Sequence, residues 1–154
     1  PELAIIATHS AQVLSVELWP EGAEAIARRS RGTPRIVNRL LRRCRDYAEV
    51  KGQGVIDAAV ADACLALHEV DDLGLDGLDR AYLEALCVKF RGGPVGVRTL
   101  AAALGESDGG ALEDLVEPYL MQIGFLDRTQ QGRRATDAAY GYLGLPQAEP
   151  NLFR

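Results

Sequence analysis

The chain has 154 residues, a net charge of −5 at neutral pH, and a composition that is 47% hydrophobic and 25% charged. That is the profile of a globular protein of one ordinary domain or two small ones, and its acidity argues against a protein that coats nucleic acid over its whole surface. The apolar runs are far shorter than the roughly 18 to 20 residues of a bilayer helix, so no membrane association is expected, and no basic, apolar leader opens the sequence. Cys44, Cys64 and Cys87 fall inside apolar helical patterns and are expected as reduced core thiols of a cytoplasmic protein.

The spacing of Leu3, Ile6, Ala7, Ser10 and Leu14 predicts a helix over residues 2–16. Trp19-Pro20 opens a second helix, with Ala23, Ile26 and Ala27 inward, that ends by Gly32. Thr33 as N-cap and Pro34 at the first helical position start a third, which runs to about Val50 and stops at Gly52-Gln53-Gly54. A fourth, from about Asp57 to Glu69, is expected to bury Val60, Cys64, Leu65 and Leu67. These four make a small helical bundle. The Gly- and Asp-rich residues 70–77 mark a boundary, giving domains 1–72 and 73–145 with a flexible tail at 146–154.

Beyond the boundary a helix is predicted over residues 78–90 (Leu78, Tyr82, Leu83, Leu86 and Phe90 inward), broken by Gly92-Gly93-Pro94. A short helix at 97–104 and a longer one at 110–123 come next. Pro118 lies inside the longer one and must kink it or mark an irregular start. Two extended arms around Gln130-Gln131-Gly132 form a hairpin, and a last helix covers 137–143. Three helices followed by a hairpin is the order of a winged helix, with 97–104 and 110–123 as the helix-turn-helix and 125–136 as the wing. The fold class is thus mainly α: a helical bundle, then a winged helix with a small β-hairpin wing.

The stretch "RRSRGTPRIVNRLLRRCR", residues 28–45, holds eight arginines and no carboxylate. It carries +8 in a chain of −5, so the remainder carries −13. Such a local excess is the footprint of a polyanion site or of an acidic partner surface. On a helical wheel Ile36, Leu40, Cys44 and Tyr47 gather on one side, flanked by Val37, Leu41 and Ala48, while Arg35, Arg39 and Arg42 gather opposite. For Arg39, Arg42, Arg43 and Arg45 an ordinary solvated face accounts for the pattern. Arg35 differs, because the helix dipole disfavours a cation in the first turn. A phosphate bound at that helix start removes the conflict, with free N–H groups and the guanidinium converging on one anion.

The chain has no G-x-x-x-x-G-K-[ST] loop, no Gly-Lys pair, and no apolar strand ending in Asp-Glu to hold magnesium. His9 and His68 have no Ser or Cys placed for nucleophilic work and are expected as surface or structural residues. No complete catalytic site is expected within these residues, and by themselves they should not hydrolyse ATP.

The segments "EGAEAIARRSRGTPRIVNRLLRRCRDYAEV", "FRGGPVGVRTLAAALGE", "LEDLVEPYLMQIGFLDRT" and "GRRAT" closely resemble the C-terminal half of the RuvB family, the AAA+ ATPases of Holliday-junction branch migration. The resemblance covers about residues 2–144. It implies that the first bundle is an AAA+ lid and the second domain a DNA-binding winged helix, the large ATPase core with its phosphate loop standing before Pro1. Thr33-Pro34-Arg35 matches the family's sensor-2 element, which implies that Arg35, with Pro34 beside it, reaches the γ-phosphate of ATP held with Mg2+ by the core. The wing matches the family's R-T-P-R-G-R in part: Arg128 and Arg133 keep its DNA-contacting arginines, while Gln130-Gln131 replaces a Pro-Arg pair. Arg134 can compensate for the lost tip cation, although in an extended arm it points to the face opposite Arg133. The resemblance further implies a homohexameric ring on double-stranded DNA at Holliday junctions, beside RuvA, in recombination and repair.

Two other classes compete: a free-standing winged-helix DNA binder that reads sequence, and a protein-interaction module that never touches DNA. Sequence readout needs base-reading side chains on residues 110–123, which instead offer Glu113, Asp114 and Glu117, and an acidic helix is a poor match to a major groove. Phosphate contact through the wing arginines suits a motor that must run along any sequence.

Overall fold

The computed structural model describes residues 2–51, 54–107 and 109–146, and its chain divides into two units, Pro1–Gly77 and Leu78–Arg154. The expected tail at 146–154 lies, apart from Pro146, outside the described residues, as do Gly52 and Gln53 of the expected helix stop.

In the first unit, α1 (Glu2–Val13) buries Ala7 and Ala11, one turn apart, and packs on α2 (Pro20–Arg28) and α3 (Pro34–Lys51). α1 ends before the expected residue 16, since Ser15 takes a positive φ of 55° and the chain becomes extended. Glu17–Leu18 then forms a strand, β1, paired in parallel with β2 (Val55–Ile56). Two-residue strands have no periodicity to read, and no sequence pattern marks this pair. It sets the entry to α2: Trp19 is extended (φ −83°, ψ 155°), its N–H donates to the Ile56 carbonyl at 3.0 Å, and Pro20 takes the first helical turn, where its missing N–H costs nothing.

The buried face of α3 is centred one residue from the expected wheel. Val37, Leu41 and Ala48, expected as flanks, are fully buried with Leu40 and Cys44, while Ile36 and Tyr47 are half-buried. α4 (Ala58–Leu67) starts at an Asp57 cap whose carboxylate accepts from the Val60 N–H at 2.8 Å. It buries Ala61, Cys64 and Leu65. Leu67, expected inside, is exposed, because two residues beyond Leu65 place it about 200° around the helix from the inward stripe. The buried thiols of Cys44 and Cys64 meet between α3 and α4, and their mutual hydrogen bond, with burial, raises Cys44 well above the ordinary thiol range.

In the second unit, α5 (Gly77–Glu84) runs into a π turn over Ala85–Lys89, closed by the Phe90 N–H on the Ala85 carbonyl at 3.0 Å. Tyr82, Leu83 and Leu86 are fully buried, and burial pushes the Cys87 thiol up to about 11. α6 (Val97–Ala103) contributes Leu100 and Ala101. The helix after Gly110 contains a second π turn, Leu112–Val116, followed by α7 (Glu117–Gln122) with Pro118 in its first turn. This is how the chain accommodates the proline: the ladder shifts so that the Glu117 N–H reaches Leu112, and α7 begins afresh where Pro118 is tolerated.

The wing is an antiparallel pair, β3 (Leu126–Thr129) and β4 (Gly132–Ala135), with Thr129 opposite Gly132 and Gln130-Gln131 as the loop. A third segment joins it. Val95 and Arg133 exchange both backbone hydrogen bonds, at 3.1 and 2.7 Å. The approach is possible only over glycine: a Cβ on Gly93 would run into the Arg133 carbonyl, and one on Gly132 (φ 131°) would stand 2.6 Å from the Val95 oxygen. α8 (Asp137–Leu143) begins after a Thr136 cap and ends at Gly144 in the left-handed region.

Two glycine substitutions separate close approach from simple helix propensity. Gly22 of α2 lies so near β2 that an alanine Cβ would be 2.5 Å from the Ile56 oxygen, whereas a Cβ on Gly141 in α8 would meet no atom of the described residues beyond its own helix within 4 Å. Gly22→Ala is expected to destabilise the first unit by about 1–3 kcal/mol and Gly141→Ala to stabilise the second by up to about 1 kcal/mol, both read from urea unfolding.

Candidate functional site

The arginine-rich stretch divides into cations used internally and cations left at the surface. Arg29, buried after the end of α2, donates to Asp62 at 2.9 Å and to Asp72 at 3.0 Å. Arg31, in a left-handed conformation at φ 55°, donates from Nε to the Gly74 carbonyl at 2.9 Å and stands 3.9 Å from Asp76. Both therefore bind the residues just before the second unit. Asp71 closes that segment on itself by accepting from the Leu73 and Leu75 N–H groups at 3.0 and 2.9 Å. Part of the local excess of +8 is thus met within the chain, by carboxylates at 62, 72 and 76 and by Asp46, which stands 3.1 Å from Arg45. Arg28, Arg35, Arg39 and Arg42 remain exposed.

At the start of α3, Thr33 accepts the Ile36 N–H at a long 3.4 Å, Pro34 occupies the first helical position and Arg35 the second. Pro34 and Arg35 are both exposed. The first turn of α3 contains no acidic residue, so an exposed guanidinium and a helix N-terminus face solvent together.

The wing arginines sit in three different environments. Arg128 is exposed on β3 and directly opposite Arg133 on β4. Arg133 spends its backbone hydrogen bonds on Val95, on its other side, so the Arg128–Arg133 position is the close, non-hydrogen-bonded kind of cross-strand pair. Two like charges there repel. A carboxylate relieves them: Arg133 donates from Nε to Glu117 Oε1 at 2.9 Å and from Nη2 to Oε2 at 3.2 Å, and Glu113 stands 3.6 Å from the same guanidinium. Glu117 is fully buried and also accepts from the Tyr82 hydroxyl at 2.8 Å. These contacts hold the Arg133 charge more firmly than in free arginine, chiefly through the Glu117 hydrogen bonds, while burial and then Glu117 push the Tyr82 phenol well above its usual range, keeping it a neutral donor. Arg134 projects from the opposite face of β4, across from Asp127, and is exposed.

Arg133, expected beside Arg128 as a DNA-facing residue, is thus turned onto an internal carboxylate, with a side chain only 12% exposed. Glu117 is likewise not part of an acidic surface on the second helix of the helix-turn-helix. Sequence reasoning missed the Glu117–Tyr82 pair, although one signal was present: Glu117 lies beside Leu112, Val116 and Leu120, all buried. Among the described residues no cluster of His, Cys, Asp or Glu could hold a metal, and no helix is long and apolar enough to cross a membrane.

Two family models cover nearly the whole chain. Residues 1–71 match the RuvB AAA lid domain and residues 72–144 the RuvB C-terminal winged helix domain. Among solved structures, the Thermotoga maritima RuvB Holliday junction branch migration motor superposes with a TM-score of 0.85 at 42% identity, covering 94% of this chain and 48% of that one. Two mutants of the same Thermotoga protein, at 42% and 43% identity and TM-scores of 0.86 and 0.84, cover the same shares. The chain therefore spans about half the length of the solved relatives it matches.

The internal arginines differ measurably from the surface ones. Arg29→Ala is expected to lower the stability of the first unit by about 1–3 kcal/mol, through lost charged hydrogen bonds and lost packing of the stem, whereas Arg39→Ala stays within about 0.5 kcal/mol in the same urea titration.

Proposed function

The chain belongs to the RuvB family, and from that membership we propose that it forms the lid and DNA-contacting parts of an ATP-driven motor that moves Holliday junctions in recombination and repair. The first unit acts as the lid. Arg35, with Pro34 fixing the helix start, meets the γ-phosphate of an ATP–magnesium complex held by a separate phosphate-loop core and reports its hydrolysis. The second unit touches duplex DNA through its wing. In the assembled motor the protein works in the cytoplasm as a homohexamer beside RuvA.

The observation that carries the DNA part is the placement of Arg128 and Arg134, exposed on the two faces of one hairpin. Such a wing can lie along a groove with a cation toward each bordering phosphate backbone. Most exposed side chains of the preceding helix favour backbone over base contact: Asp114, Leu115, Pro118 and Met121 are no donors for base edges, and only its last residue, Gln122, is one. A motor indifferent to sequence needs that arrangement.

The test is the salt dependence of duplex binding. Arg128→Ala and Arg134→Ala are each expected to lower the slope of log K against log salt by roughly 0.9, and together by about twice that. No binding to duplex at low salt, or a slope unchanged in the double variant, overturns the DNA part. The nucleotide part is tested by Arg35→Ala in a protein carrying both the ATPase core and these residues. There ATP turnover is expected to fall on the order of tenfold or more, and unchanged turnover overturns it.

A further inference from the structure

We infer that Arg133, Glu117 and Tyr82 form a buried latch that fixes the wing to the body of the second unit, and that Arg133 is thereby a positioning residue for Arg128 and Arg134 rather than a phosphate ligand. The inference rests on the DNA-contacting role proposed for the wing, and its first half stands without that role.

Charge makes the first case. The Arg133 guanidinium faces two carboxylates, Glu117 in a side-on fork and Glu113 at 3.6 Å. Those two carboxylates offset its charge, so Arg133 offers a phosphate no net positive charge of its own. To bind one, Arg133 would have to leave Glu117, whose side chain is 1% exposed and would stay behind as a buried carboxylate with, among the described residues, the Tyr82 hydroxyl as its remaining donor. Stranding a buried charge in that way is strongly unfavourable.

Geometry makes the second. Arg133 is held by its backbone on Val95 and by its side chain on Glu117, which the Tyr82 hydroxyl holds in turn. The three anchors come from separate parts of the chain. Tyr82 belongs to α5, Glu117 opens α7 just after the π turn, and Val95 comes after the Gly92-Gly93 break. An added residue in a helical turn rotates the rest of the helix by about 100°, and in the structure the residue just past the π turn is Glu117, which faces the core. The latch also sets Arg128. With Glu117 neutralising Arg133 on the shared face, repulsion within the close cross-strand pair is relieved and Arg128 stays outward and exposed. Arg134 gains its direction from the same fixed strand.

The experiment uses the whole chain and two readouts below its unfolding transition: hydrogen exchange of the 126–135 amides without DNA, and duplex binding across a salt series. Arg133→Met is expected to lower wing protection by about tenfold or more while α6 and α8 keep theirs, and to weaken duplex binding on the order of tenfold with the salt slope unchanged. Tyr82→Phe, which keeps the ring packing and removes one hydrogen bond, should act in the same direction by a few-fold at most. Glu117→Gln should resemble Arg133→Met. Arg128→Ala should do the reverse, lowering the slope by roughly 0.9 with wing protection intact. If Arg133→Met lowers the slope by that amount and leaves protection intact, Arg133 is a phosphate ligand and the inference is overturned. Loss of protection across the whole second unit, without a selective loss in the wing, overturns it as well. If neither Arg128→Ala nor Arg134→Ala changes the slope, the DNA-contacting role falls, and the exchange result alone decides the latch.

Discussion

A carboxylate with no access to water anchors the second unit. Glu117 accepts hydrogen bonds from Tyr82 and Arg133, and those two donors belong to a helix and a hairpin with no sequence in common. An uncompensated charge in that position would be intolerable, so the partners must stay. Hence the wing cannot drift from the helices that carry it, and the close approaches at Gly93 and Gly132 are conditions for bringing Arg133 near enough. The irregular helix before α7 answers to the same demand. Its π turn both disposes of Pro118 and leaves Glu117 on the inner side.

In the first unit, charge divides in a comparable way. Arg29 and Arg31 are consumed by Asp62, Asp72, Asp76 and the Gly74 carbonyl, which tie the Gly- and Asp-rich segment down onto the first unit. Local sequence density of cations is therefore a poor measure of surface potential. Cations of that stretch that reach solvent are Arg28 at the end of α2 and those on the outer face of α3 and at its start, and for Arg35 the absence of any acidic neighbour in the first helical turn matters more than the count of arginines around it.

Much of this architecture was legible in advance, for physical reasons that vary by element. Prolines at 20 and 34 and the Thr33 cap fix helix starts through local chemistry, which makes those starts legible. The hairpin was visible because Gly132 punctuates two extended arms. The parallel β1–β2 pair was not, since a two-residue strand depends wholly on a partner nearly forty residues away. Leu67 was misplaced because composition shows that a residue is apolar, while the wheel decides where it points. The resemblance to RuvB supplied Arg128 and Arg133 as equals. Only geometry distinguishes them, because a side chain's partner 16 residues away leaves no mark on spacing.

The three thiols carry a practical consequence. Cys44 and Cys64 are sealed in the first unit and Cys87 lies in the second, all without appreciable exposure. A thiol reagent reaches them only when the surrounding unit opens, since modification needs both access and the thiolate. The chain thus contains its own pair of chemical clocks, one per unit, and mass-resolved alkylation can time the opening of each half separately without any introduced label.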